Sequence, residues 1–169
     1  MTIIDNIRQF LPLCWLGVSP LELHRSPVFF KQNIAFYFAV TSFIQFNMSD
    51  DIESIFEVIL ETLLTVGFVA AILLLNRSFH SLIQVGSAVL FSQNVVALML
   101  VPVVFWVTVA EDTPSYAVLV LFLFWAFVLI AHIFKQVLQI NRPAALVVSL
   151  FYFLVAYGGA YGIDSLLAG

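Results

Sequence analysis

The stretch DDIESIFEVILETLLTVGFVAAILLLNRS, residues 50–78, decides the fold. Asp50, Asp51 and Glu53 stand at its front and Arg77 at its end. Between them lies an apolar run that meets the ~20 residues a helix needs to cross a bilayer. Lysine and arginine are retained on the cytoplasmic side of a membrane, so the stretch carries its own orientation. The acidic end points out and the Arg77 end points in.

The rest of the chain repeats this alternation. Arg8, Arg25 and Lys31 precede or open the first long apolar run, and Lys135 and Arg142 flank the gap between the fourth and fifth. The remaining gap, at Glu111 and Asp112, is acidic, as is Asp164 near the end. Five crossings satisfy the charge rule, at about 28–46, 52–75, 79–109, 115–140 and 143–163. A re-entrant third segment would put the acidic turn inside and the Lys135/Arg142 turn outside, which reverses the rule. The expected fold is therefore an all-α integral membrane protein. Its N-terminus is cytoplasmic and its C-terminus is on the opposite side.

Composition agrees. The chain is 63% hydrophobic and 9% charged, against roughly 45–50% and about 25% in soluble proteins. Its 169 residues cannot hide that much apolar surface in one soluble core, so lipid must cover part of it. No basic patch points to nucleic acid. The single Cys14 excludes a disulfide within the chain. Pro12 interrupts the first apolar residues and no small-residue cleavage site follows, so a signal peptide is not expected.

Residues 1–27 read as a separate amphipathic segment on the cytoplasmic face. Ile3, Ile4, Ile7, Leu11, Trp15 and Val18 recur at helical spacing with Asp5, Asn6, Arg8 and Gln9 between them. Such a helix lies in the headgroup region or packs on the inner end of the bundle. Residues 28–169 form the five-helix domain. Asp50 and Glu53 have the spacing of a capping box, Pro114 suits a first helical turn, and Pro102 should kink the third span. Trp106, Tyr116, Tyr157 and Tyr161 fall where an outer aromatic belt is expected.

Polar groups inside the spans are the candidate site residues. Glu53, Glu57 and Glu61 are four apart on the second span, and Thr65 extends the ladder. Glu61 is about 12 Å further in than Glu53, at ~1.5 Å per residue. A carboxylate at that depth must face protein or water, or carry a proton. Ser92, Gln93 and Asn94 on the third span match its depth. The functional reading is a proton or cation pathway from the outer side; the plainer reading is helix packing by hydrogen bonds.

Lys31, Arg77, His80, His132 and Lys135 form an expected inner-face group for lipid headgroups. No ligand spacing among them supports a metal. Gly158 and Gly162 make a GxxxG, a device for close helix approach within the chain or to a partner. No nucleophile stands beside a base, and no nucleotide or metalloprotease motif appears. Neither catalysis nor a cofactor is expected.

The order of elements resembles the Yip1 family of five-span membrane proteins. The likeness rests on Ser26-Pro27-Val28-Phe29-Phe30 before the first span, Asn76-Arg77-Ser78-Phe79 before a third span that contains Pro102, and the short turn Asn141-Arg142-Pro143. The Asp-Leu-Tyr-Gly-Pro motif of the trafficking members is absent. The resemblance thus implies a five-helix protein of the bacterial inner-membrane type, and it transfers no functional residue. The preferred expectation is a non-catalytic scaffold or accessory subunit that binds membrane proteins, lipid or a second copy of itself. The alternative is a transporter or channel component that uses Glu61.

Overall fold

A computed structural model describes residues 3–49, 54–110 and 112–168. The Asp50/Glu53 capping pair and Glu111 lie outside the described residues. Within them the chain is all helical, with no strand. The helices are α1 (Ile3–Phe10), α2 (Pro27–Ser49), α3 (Ser54–Leu75), α4 (Leu82–Ala110), α5 (Thr113–Leu138), α6 (Arg142–Phe153) and α7 (Gly159–Ala168). A π turn, Leu154–Gly158, joins α6 to α7.

Four segments are long and apolar enough to cross a membrane: Ile55–Leu75, Phe79–Ala110, Thr113–Leu138 and Arg142–Leu167. Helix α2, with 23 residues, has the length. It is not among the four, because Lys31, Gln32, Asn33, Gln45 and Asn47 dilute its apolar content.

The turns explain where the helices stop. After α3 the amide of Ser78 bonds the carbonyl of Leu73 at 2.8 Å, and that of Arg77 bonds Leu74 at 3.0 Å. This is a Schellman closure with Arg77, at φ 55°, in the left-handed position that glycine usually fills. Asp112 caps α5 through the amide of Ser115 at 2.9 Å. Asn141 caps α6 through the amide of Ala144 at 2.9 Å. Each cap is followed by proline within the first turn, where no amide hydrogen is needed.

Side-chain pairs fix the helix directions. Tyr37–Glu61 and Gln45–Glu57 make α2 and α3 antiparallel. Ring contacts of Phe29 with Phe91 and Phe43 with Phe105 make α2 and α4 parallel. Phe68–Phe134 sets the late part of α5 beside the late part of α3, and Thr65–Tyr152 together with Tyr37–Tyr157 makes α6 antiparallel to α3. Arg25, Lys31, Arg77, Lys135 and Arg142 consequently share one end of the bundle.

Helix α4 is the central post. Its residues from Val85 to Asn94 are all buried, with α2 and α5 its most extensive neighbours. The third segment therefore enters the bundle as one continuous helix through Pro102, after a single 3-10 turn at Phe79–Ser81. The rings of Phe10, Phe29 and Phe91 cluster with centroids 4.8–6.0 Å apart and tie α1 to α2 and α4. Helix α1 buries Asn6 and Phe10, while Ile3, Ile4 and Ile7 remain exposed. Its strongest apolar stripe is not the face it packs with.

Cys14, in the 3-10 helix Leu11–Trp15, is 2% exposed. Burial pushes its thiol from 9.0 up to about 11, against a smaller opposing effect of the neighbouring Ser92 hydroxyl. The thiolate is the reactive form. Maleimide labelling at pH 7 is expected to be slow in the native protein and fast after denaturation, which mass spectrometry would read. Because the folded value is raised, the stabilising contribution of this group is complete below pH 9 and is lost as pH rises towards 11.

Candidate functional site

The acidic ladder on α3 is a set of paired rungs. At the first, Gln45 Nε2 of α2 donates to Glu57 Oε2 at 2.7 Å. At the second, the Tyr37 hydroxyl donates to Glu61 Oε1. Tyr157, from the π turn, completes the rung: its hydroxyl lies 3.3 Å from that of Tyr37, and it lines the same cavity as Glu61. At the third, Thr65 Oγ1 is 3.3 Å from the Tyr152 hydroxyl of α6. Exposure falls along the ladder, from half-buried Glu57 to Glu61 at 6% and Thr65 at 1%.

Spacing explains the arrangement. Four residues turn an α-helix by ~400°, so Glu57, Glu61 and Thr65 wind slowly along one face. That face meets α2 on one side and the α6–α7 segment on the other. Tyr152, Ala156 and Ala160 are buried at intervals of four. The π turn shifts the helical phase locally, and Tyr157 thereby joins Glu61. Such turns recur at functional sites.

A cavity of about 330 Å³ opens beside Glu61. Glu57, Glu61, Tyr37, Tyr157 and Gln93 line its polar side, and Leu100 and Val104 of α4 with Leu119 and Leu123 of α5 line the apolar side. It extends from Glu61 towards the end of the bundle where α2 stops and α3 starts. No lysine, arginine or histidine is among its described lining residues.

The polar trio on α4 does not act together. Asn94 donates to the Asn33 backbone carbonyl and to Asn33 Oδ1, both at 3.1 Å, and so fastens α4 to α2. Ser92 faces Cys14. Only Gln93 reaches the cavity, near Tyr152, and its buried Nε2 has no hydrogen-bond acceptor among the described residues. Three consecutive helical residues fan over ~200°, so they cannot share a neighbour. The three residues that match Glu61 in depth are thus divided among different neighbours.

Tyr37, Tyr152 and Gln45 were not singled out from the sequence, and Tyr157 was placed in an outer belt. A tyrosine within an apolar span is a usable signal, because its buried hydroxyl needs a partner. Tyr116 and Tyr161 are exposed, as a belt requires, and Trp106 is 42% exposed.

Lys31, Arg77 and His80 are exposed, while His132 and Lys135 are half-buried one turn apart on α5. No group of three potential metal ligands occurs among the described residues. At the GxxxG, a methyl group added to Gly158 or Gly162 would meet nothing within 4 Å. The close approach is made by Gly159, where it would meet Leu64 Cδ1 at 3.2 Å. Packing of Gly158 and Gly162 inside the chain is therefore not what the fold uses.

Chemically, the centre is a buried carboxyl that accepts from the Tyr37 phenol, with the Tyr157 phenol next to it, beside an uncharged wall. Phenol donors stabilise a carboxylate by charge-assisted hydrogen bonds. Lone pairs not engaged by a donor are where such a carboxyl can take a proton or a cation. No protein-family model, curated protein or solved structure matches the chain.

Proposed function

We propose that this protein is a non-catalytic, five-crossing membrane protein that carries a proton or cation through Glu61. The single observation behind the reading is the buried Glu61 carboxyl at the edge of a cavity, held by Tyr37 with Tyr157 beside it. Intramembrane acids are costly and mark ion pathways by default. Here α2 is the remaining crossing, with Lys31 reaching the cytoplasmic surface and the N-terminus on that side. Helix α1 lies at the inner interface with Ile3, Ile4 and Ile7 in the lipid. An inner-membrane setting and a Yip1-like order of helices belong to the same reading.

The test is flux into proteoliposomes with a trapped pH dye, before and after dicyclohexylcarbodiimide. This lipid-soluble reagent adds to protonated carboxyls. Proton entry above that of empty liposomes, blocked by the reagent with the adduct mapped to Glu61, supports the proposal. No flux, with lithium, sodium or potassium gradients also inert, would overturn it.

A second reading, a scaffold or accessory subunit, rests on Gly158 and Gly162, which present open backbone to a partner helix. In that case Gly158→Leu should dissociate an assembly recovered in mild detergent, and intact-complex mass spectrometry would show the loss.

A further inference from the structure

We propose that the cavity beside Glu61 binds a small lipophilic ammonium ion that carries a hydrogen-bond acceptor, its charge resting on Glu61. The proposal builds on the reading of Glu61 as an ion ligand and adds the class of ligand. Three independent features converge.

The first is charge. Glu61 and Glu57 line the space, and no described basic residue answers them there. The second is shape and surface. At about 330 Å³ the cavity falls in the range of small-molecule pockets, roughly 300–1,000 Å³. Its far half is hydrocarbon, with Leu100, Leu123 and Phe153. Phe153 stacks on Tyr157 of the polar side, with centroids 5.4 Å apart and planes 11° from parallel. An inorganic ion would use the carboxyl and leave that half unfilled. An organic ammonium fills it, and its diffuse charge suits aromatic faces.

The third is the unmatched donor. Gln93 is 5% exposed, lines the same space, and its Nε2 has no acceptor among the described residues. Buried donors are almost always satisfied. A carbonyl or ether oxygen on the ligand would satisfy this one. Cation, hydrocarbon and acceptor together define the class.

Binding should compete with protons, because protonated Glu61 offers no charge. The titratable groups facing Glu61 are Glu57 on its own helix, Tyr37 of α2, Tyr152 of α6 and Tyr157 of the π turn. The described lining residues of α4 and α5 add none.

The experiment is calorimetric titration of the full chain in zwitterionic nanodiscs, with empty nanodiscs subtracted. The probes are phenacyltrimethylammonium, benzyltrimethylammonium and the neutral carbon isostere neopentylbenzene. Saturable 1:1 binding of both cations but not of neopentylbenzene is expected, weaker as pH falls. Glu61→Gln should weaken it by about tenfold or more, the effect of losing ~1.4 kcal/mol. Glu61→Asp, which keeps the charge, should retain binding and serves if Glu61→Gln misfolds. The carbonyl probe should bind about fivefold tighter than the benzyl probe, near the worth of one hydrogen bond. That difference should vanish in Gln93→Met.

Absence of saturable binding, equal binding of neopentylbenzene, or indifference to Glu61→Gln would each overturn the proposal. Carbodiimide-sensitive proton flux without ammonium binding would sink this inference and leave the ion-carrier reading standing. Ammonium binding without any flux would do the reverse.

Discussion

Glu61→Gln is expected to reduce flux to the level of empty liposomes while the protein stays folded. Glutamine keeps the length and planarity of the side chain. Its carbonyl oxygen still accepts from Tyr37, and its amide can donate to the Tyr157 hydroxyl. The packing between α3, α2 and the π turn is thus preserved, and the stability change should stay within ~1 kcal/mol, the usual scale for side-chain hydrogen bonds between membrane helices. The amide cannot ionise or carry a proton at any accessible pH, so transport that passes through position 61 must stop. Glu61→Asp separates distance from charge. It keeps the carboxyl but withdraws it by one methylene from both phenols, and intermediate flux is expected. Wild-type flux in Glu61→Gln would end the ion-carrier reading. Unaltered flux together with a large fall in thermal stability would instead identify Glu61 as a packing group.

The outline of this bundle was legible because its turns are chemical. Asn76-Arg77-Ser78, Asp112-Thr113-Pro114 and Asn141-Arg142-Pro143 each satisfy a free helix end with local groups, and these signals are short-range. The expected spans 52–75 and 79–109 accordingly end close to α3 and α4. Depth was legible too, since position along a helix gives it directly. Depth alone requires Glu61 to face protein or water, or to carry a proton, and the fold buries it against α2.

Azimuth was not legible. Ser92, Gln93 and Asn94 share a depth, yet each points to a different neighbour, and which neighbour lies there is settled by packing elsewhere. The π turn has no local signature, so Tyr157 reads as an interface residue, whereas its hydroxyl lies against that of Tyr37 on the Glu61 cavity. The same holds for Gly158 and Gly162. Their spacing is visible in the chain, but the local phase of the helix decides whether Gly159 or its neighbours meet α3. The candidate acid was therefore found from sequence, and its phenol partners required the fold.

Gly86→Leu is expected to destabilise the bundle by about 1–3 kcal/mol, the range for overpacking a filled interior, and to impair the Glu61 site from a distance. Gly86 lies in the buried first half of α4, against the start of α2. A methyl group there would fall 2.7 Å from Cε2 of Phe30, closer than carbon atoms approach. Phe30 is half-buried, so its ring can swing outwards by the roughly 0.7 Å that separates 2.7 Å from ordinary contact at 3.4 Å. Gly86→Ala should then be nearly neutral, because the helix gains roughly 0.5–1 kcal/mol when glycine is replaced. Leucine adds three further carbons, and ring movement alone cannot house them. The α2 backbone must move away from α4. Tyr37 sits seven residues beyond Phe30 on that helix, about 10 Å at ~1.5 Å per residue, and Asn33 between them holds Asn94. Displacement of α2 pulls the Tyr37 hydroxyl away from Glu61 and opens the Asn33–Asn94 contact. Thermal unfolding and flux should therefore fall together in Gly86→Leu, and Phe30→Ala in the same chain should restore both by returning the space. If Gly86→Leu unfolds at the temperature of Gly86→Ala, the close seating of α2 on α4 does not limit stability. If Phe30→Ala restores stability but not flux, the seating of α2 does not govern the site.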